Sequence, residues 1–199
     1  LAELALQSMG ARIFHVVMPS PRQSVPVSVR STGASDALQG LTPAIGALSS
    51  SGMVVDLTVE GLLHAPELSA ILKGGARVLM ISNEHPDALE RLVPTEDMKP
   101  IVRDAVARCR EASIMTVTSE AGSDLTVNLE GSPAAGVWGW TDRPGTVAHW
   151  PGGVIVAFPK RHSTNGRLVM RPGDINLTFK RYLETPITLS IEDDYVTSV

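Results

Sequence analysis

The sequence predicts an α/β protein in which an N-terminal parallel α/β domain is followed by a mostly antiparallel, β-rich domain. Up to about residue 112, short apolar runs alternate with amphipathic helix-like segments, which is typical of a parallel sheet covered by helices. Beyond that residue, short strand-like runs separated by turn residues replace the helices. We therefore expect two domains, at residues 1–112 and 113–199, with the second incomplete at its C-terminal end.

The first predicted domain alternates helices with strands. Its helices are predicted at 1–9, 42–50, within 61–72, within 82–93 and at 95–112, and its strands at 13–18, 53–59 and 77–81. Thr42 and Pro43 suit the N-cap and the first helical position of the second helix. Residues 19–40 are rich in Ser, Pro and Gly and predict a long loop. The apolar stripe of the last helix is predicted to face the core and consists of Met98, Ile101, Val102, Ala105 and Cys109.

The second predicted domain consists of short strands joined by turns. Gly122 and Ser123 lie between its first two strands and indicate a hairpin. Residues 171–174 predict a further turn. The strands of this half are predicted at 114–118, 125–129, 154–158, 168–170, 175–179 and 187–191.

Residues 136–158 hold all three tryptophans of a chain that is only 4% aromatic. Trp138 and Trp140 are two residues apart, so on a strand they would share one face. His149 and Trp150 follow after a turn. We interpret this stretch as one wall of a pocket with a histidine and an indole at its rim.

The composition excludes several classes of protein. A net charge of −4 without a basic block makes nucleic acid and anionic membranes unsuitable partners. The single cysteine, Cys109, rules out an intrachain disulfide and favours a reducing, cytoplasmic location. No apolar run approaches the roughly 20 residues of a membrane-spanning helix. The chain begins inside a predicted helix and stops just after a predicted strand, which suggests a fragment.

Two of the five histidines are candidates for chemistry. His64 follows the carboxyl end of the 53–59 strand, where open parallel sheets bind ligands. His149 has aromatic neighbours and could transfer a proton near neutral pH. His15 suits a core histidine, His85 a local cap and His162 a solvated loop. No pair of histidines has the spacing of a local metal motif.

The remaining motifs are weak. The G-x-S-x-G signature of a nucleophile elbow is absent. Gly74 and Gly75 precede a strand rather than a helix, so they are no dinucleotide fingerprint. The acidic cluster of Glu192, Asp193 and Asp194 could bind a cation, although an exposed strand end explains it better.

The order of several motifs resembles the 2,5-dihydroxypyridine 5,6-dioxygenases, a family related in fold to the thermophilic-type leucyl aminopeptidases. The opening helix and strand fit this family, and the resemblance covers nearly the whole chain. It is strongest from Ser119 to Val199. The segments that carry it are SNEHPDALERLVP, TSEAGSDLTVNLEG, GWTDRPG, AHWPGG, GRLVMRPGDIN and FKRYLETPITLSIEDDYVTSV.

This resemblance implies a non-haem Fe(II) enzyme of nicotinate breakdown that opens 2,5-dihydroxypyridine with O₂ to give N-formylmaleamate. The family holds its iron with two histidines and an aspartate. Those ligand motifs are absent here and are expected beyond Val199. The resemblance also implies a homo-oligomer.

The resemblance further implies that His64 and His149 face the substrate and assist proton transfer. Trp138, Trp140 and Trp150 could pack on the flat ring, with core packing as the alternative. Two other functions stay open: a metallo-aminopeptidase-like hydrolase on the same scaffold, and a non-catalytic fragment.

Overall fold

The computed structural model of the chain describes residues 2–18, 38–58, 61–81, 85–176 and 181–199. The helices in this part of the chain are α1 (Ala2–Ser8), α2 (Thr42–Ser49), α3 (Leu68–Lys73), α4 (Pro86–Arg91) and α5 (Met98–Glu111). The strands are β1 (Met53–Asp56), β2 (Arg77–Met80), β3 (Ile114–Thr118), β4 (Asp124–Asn128), β5 (Ala134–Val137), β6 (Val147–His149), β7 (Val154–Ala157), β8 (Thr164–Met170), β9 (Ile175–Asn176), β10 (Arg181–Tyr182), β11 (Ile187–Glu192) and β12 (Tyr195–Ser198). None of the described helices is both long and apolar enough to span a membrane.

A three-stranded parallel sheet with the order β1-β2-β6 forms the centre of the N-terminal region. Val54 and Val78 are paired in this sheet and are buried in the main hydrophobic core. Val147 is the next residue in the same row and packs against that core. The core is completed by residues from α2, α3 and their flanking loops, including Leu48, Leu62 and Ile71.

The C-terminal region contains a five-stranded sheet with the order β12-β11-β8-β4-β3. Its strand pairs are antiparallel, and β3 and β4 form the predicted hairpin. Two shorter antiparallel pairs, β5-β7 and β9-β10, accompany it. The side chain of Val102 on α5 touches the backbone at Gly136 in β5, so α5 packs on the β5-β7 pair.

The predicted fold class, an α/β protein with a parallel sheet followed by antiparallel β structure, is confirmed. The division into domains at residue 112 stays a prediction. β6 bears on this boundary, because it joins the two halves of the chain in one sheet. This strand comes from the second half of the chain yet pairs with β2 of the first half.

Several predictions about single elements were wrong. Residues 13–18 form no strand, because none of the strands in the described part of the chain pairs with them, and Val17 is exposed. Thr42 is the first residue of α2 rather than its cap, which is Leu41. On α5, Val102 is buried but Ile101 is exposed, so the stripe is narrower than predicted.

Two further predictions in these regions had different outcomes. Trp138 and Trp140 are not on a strand, because β5 ends at Val137 and Gly139 has a φ of +97°, outside the strand region. The predicted loop at residues 19–40 lies outside the described residues for positions 19–37.

Asp194 joins the β11–β12 turn to the segment before β8. Its carboxylate accepts hydrogen bonds from the backbone N–H groups of His162 (2.5 Å), Ser163 (3.0 Å) and Thr164 (2.8 Å). Desolvation raises the pKa of Asp194, but these hydrogen bonds outweigh it and lower the pKa to about 2. Asp194 therefore stabilises the end of a strand, which is the explanation that the sequence favoured over a cation site.

We expect Asp194→Asn to lower the melting temperature at neutral pH. Since the pKa of Asp194 is lower in the folded chain than its ordinary 3.8, its ionised form stabilises the fold above pH 3.8. That contribution is lost as the pH falls through about 2. The difference in melting temperature between wild type and variant should therefore shrink over this range. Asp193→Asn, in the same turn, is the matched control, and an unchanged difference at low pH would contradict the assignment.

Gly152 should not tolerate a side chain. It has a φ of +85°, and a Cβ atom there would overlap the backbone of Trp138 and Gly139. Gly10 has a similar φ of +77° but open space around it. We expect Gly152→Ala to lower the free energy of unfolding by about 1–3 kcal/mol more than Gly10→Ala does. Urea unfolding measures both, and equal losses would show that the backbone contact is unimportant.

Candidate active site

The carboxyl edge of the parallel sheet carries a row of three aligned residues. β1 ends at Asp56, β2 at Met80 and β6 at His149, and the register pairs Asp56 with Met80 and Met80 with His149. Neighbouring strands lie about 4.8 Å apart, so the Cα atoms of Asp56 and His149 are about 10 Å apart. Aligned residues of a parallel sheet point to the same face. His149 therefore lies on the face that carries the main core, at its outer edge.

His149 is half-buried, and its ring is held by the backbone that follows it. Nδ1 lies 3.0 Å from the carbonyl oxygen of Trp150. The backbone N–H of Trp150 donates to the carbonyl of Met80 at 2.8 Å. This hydrogen bond fixes the Trp150 backbone, and with it the carbonyl that faces His149, relative to the sheet. Because a carbonyl oxygen only accepts, Nδ1 carries the proton in the neutral ring. Nε2 is then the basic nitrogen.

His64 lies in the loop that leaves the carboxyl end of β1 and leads into α3. Its side chain is exposed. Two residues earlier, the backbone N–H of Leu62 donates to the buried carboxylate of Asp56 at 2.6 Å. The loop is thus fixed at Leu62, two residues before His64, to the same sheet edge at which His149 ends β6.

Trp138 and Trp140 lie together at a different place. Their ring centroids are 6.4 Å apart and their planes meet at 68°, an edge-to-face contact. They line a cleft of about 310 Å³ with residues that include Leu72, Arg143 and Thr146. Its lining also includes Val147 and Ala148, so this cleft lies beside the first residues of β6. His64, His149 and Trp150 are not among its lining residues.

Two cationic side chains lie close to the Trp138 ring. The Lys99 ammonium lies 5.2 Å from the ring centroid, and the Arg103 guanidinium carbon lies 5.8 Å from it. Lys99 also donates to Asp142 at 2.5 Å, and this hydrogen bond lowers the pKa of Asp142. The contact joins α5 to the turn after Trp140. The indole N–H of Trp138 is buried and has no hydrogen-bond partner in the described part of the chain.

The other histidines have structural surroundings. His85 caps α4 by accepting the N–H of Asp87 at 3.2 Å, as predicted. His162 is exposed in a loop, also as predicted. The prediction for His15 was wrong, because it is exposed and lies 3.3 Å from Glu3 rather than in the core.

The described residues contain no group of three or more His, Cys, Asp or Glu side chains that could hold a metal ion. The roles predicted for the two histidines and three tryptophans stay predictions. Sequence reasoning missed Asp56, although a single acidic residue inside the apolar run MVVDLTV was a usable signal.

Comparisons with known proteins agree on one family. The chain matches the family model of NicX, 2,5-dihydroxypyridine 5,6-dioxygenase, over residues 1–199. It is 37% identical over 197 residues to the 2,5-dihydroxypyridine 5,6-dioxygenase of Pseudomonas putida KT2440, covering 98% of this chain and 55% of that protein.

A solved structure of the 2,5-dihydroxypyridine dioxygenase from Pseudomonas putida KT2440 has the same fold. It superposes with a TM-score of 0.83 and 37% identity, over 99% of this chain and 56% of that one. The chain therefore spans about half the length of the relatives it matches. The likeness extends along the whole sequence, and the chain belongs to the 2,5-dihydroxypyridine 5,6-dioxygenase family.

Proposed function

We propose that this chain is part of a dioxygenase that opens the ring of 2,5-dihydroxypyridine with O₂ and forms N-formylmaleamate, a step of nicotinate degradation. The family match over all 199 residues is the observation that carries the proposal. Both oxygen atoms of O₂ enter the product, so the overall reaction needs no external reductant. The hydrolase alternative is not favoured, because the relatives are named as dioxygenases.

The two histidines at the carboxyl edge would move protons on the substrate. A ring hydroxyl of the substrate must lose its proton before the ring becomes electron-rich enough to react with O₂. Nε2 of His149 is the basic nitrogen, since Nδ1 faces the Trp150 carbonyl. A positioned general base typically contributes about 10²–10⁴-fold to the rate. His64, at the same edge and exposed, is the proposed second proton carrier.

Trp150 is the tryptophan next to the proposed base in the chain, and its indole offers a flat surface for a heterocycle. The substrate-binding roles of Trp138 and Trp140 remain predictions, and their cleft lies beside the opposite end of β6.

The proposed cofactor is Fe(II), which would mediate the transfer of electrons from the ionised substrate to O₂. The two-histidine, one-aspartate set of the family is not formed by the described residues. We therefore assign no step of the reaction to iron in this chain and propose that its ligands lie outside the described residues. The homo-oligomeric state and the cytoplasmic location also remain predictions.

We expect His64→Ala and His149→Ala each to lower kcat by about 10²–10⁴-fold without lowering iron content, because both would move protons rather than bind metal. The whole protein, loaded with Fe(II), is assayed by O₂ uptake and by loss of the substrate's ultraviolet absorption. His15→Ala, at an exposed histidine far along the chain, is the matched control. Loss of iron in parallel with activity would show that the replaced histidine is a ligand.

The tautomer of His149 provides a test that needs no turnover. Because Nδ1 donates to the Trp150 carbonyl, ¹⁵N spectra of the neutral side chain should show a protonated Nδ1 and an unprotonated Nε2. His15, whose Nε2 rather than Nδ1 faces Glu3, serves as the comparison within the same spectrum. A neutral His149 with its proton on Nε2 would leave no base directed away from the backbone and would contradict the assigned role.

A further inference from the structure

We propose that Asp56 is a positioning residue for His64: its buried carboxylate holds the loop between β1 and α3 so that position 64 stays at the sheet edge at which His149 ends β6. The proposal rests on the role proposed above for His64. It adds a residue outside the histidine and tryptophan set, and it explains why an acidic residue interrupts an apolar strand.

Both oxygens of the Asp56 carboxylate are engaged by the loop. Oδ1 accepts hydrogen bonds from the backbone N–H of Thr58 at 3.0 Å and from its hydroxyl at 2.7 Å. Oδ2 accepts the N–H of Leu62 at 2.6 Å. The Thr58 hydroxyl in turn accepts the N–H of Gly61 at 3.1 Å. Asp56 and Thr58 together therefore satisfy three backbone N–H groups of this loop.

Burial makes these hydrogen bonds decisive. Asp56 is only 3% exposed, and an ionised carboxylate at that depth is costly unless several donors surround it. Charge-assisted hydrogen bonds of this kind are stronger than neutral ones. An asparagine could not replace the carboxylate, because its NH₂ group would face either the Leu62 N–H or the Thr58 N–H, donor against donor.

The same residue links the loop to the sheet. The carbonyl of Asp56 accepts the N–H of Ile81 at 2.9 Å, which continues the pairing with β2. Leu62 is buried in the core at 2% exposure, so both its N–H and its side chain are fixed. His64 follows two residues later and can lie at most about 7 Å along the chain from that fixed point. Position 64 is thereby tied to the row that contains His149.

Hydrogen exchange on the 199-residue chain tests the anchoring directly. We expect the Leu62 amide to exchange at least about tenfold faster in Asp56→Asn, because its charged acceptor is gone. Thr58→Val should speed exchange at Gly61, whereas Thr58→Ser keeps the hydroxyl and should not. The Val78 amide in β2 reports global unfolding in each variant. Unchanged Leu62 exchange relative to Val78 would overturn the proposal.

Turnover of the whole, iron-loaded protein tests whether Asp56 affects catalysis through His64. Asp56→Asn should lower kcat more than it changes KM, and it should have no further effect on kcat when combined with His64→Ala. An equal loss of kcat in both backgrounds would overturn an action through His64. If His64→Ala alone leaves kcat unchanged while Leu62 exchange is faster in Asp56→Asn, the role proposed for His64 fails and the anchoring of the loop stands.

Discussion

The parallel pairing of β6 with β2 is the constraint on which the candidate site depends. It is a short contact, three residue pairs between Val78–Met80 and Val147–His149, made by segments almost 70 positions apart in the sequence. Its register sets which residue of β6 ends the strand at the carboxyl edge. A shift by one residue would place Ala148 in the row of Met80 and turn His149 to the opposite face.

Around this sheet, the two ends have different chemistry. The carboxyl edge combines the fixed ring of His149 with the loop of His64, which a buried carboxylate organises. The cleft by the amino-terminal end of β6 is aromatic and cationic, with Lys99 and Arg103 over Trp138. The histidine whose ring is fixed, His149, lies at the first place, whereas no histidine is among the residues that line the cleft.

Local patterns in the sequence were sufficient for most helices and for the β3–β4 hairpin, since these depend on periodicity, caps and turn residues. Patterns could not reveal contacts between distant segments. Residues 13–18 are apolar enough for a strand but pair with none of the described strands. β6 is too short to be recognised from the sequence, yet it completes the parallel sheet. His64 was predicted from its position after a strand and His149 from its aromatic neighbours, whereas the left-handed Gly139 shows that Trp138 and Trp140 do not continue a strand.

The central claim is that His64 and His149 face one bound heterocycle at the carboxyl edge of the parallel sheet. Intermolecular nuclear Overhauser effects test it most directly, using 2,5-dihydroxypyridine bound without O₂ to the whole protein with Zn(II) in place of iron. We expect contacts from the substrate ring protons to the imidazole protons of both histidines. Contacts to the indoles of Trp138 and Trp140, with none to either histidine, would contradict it.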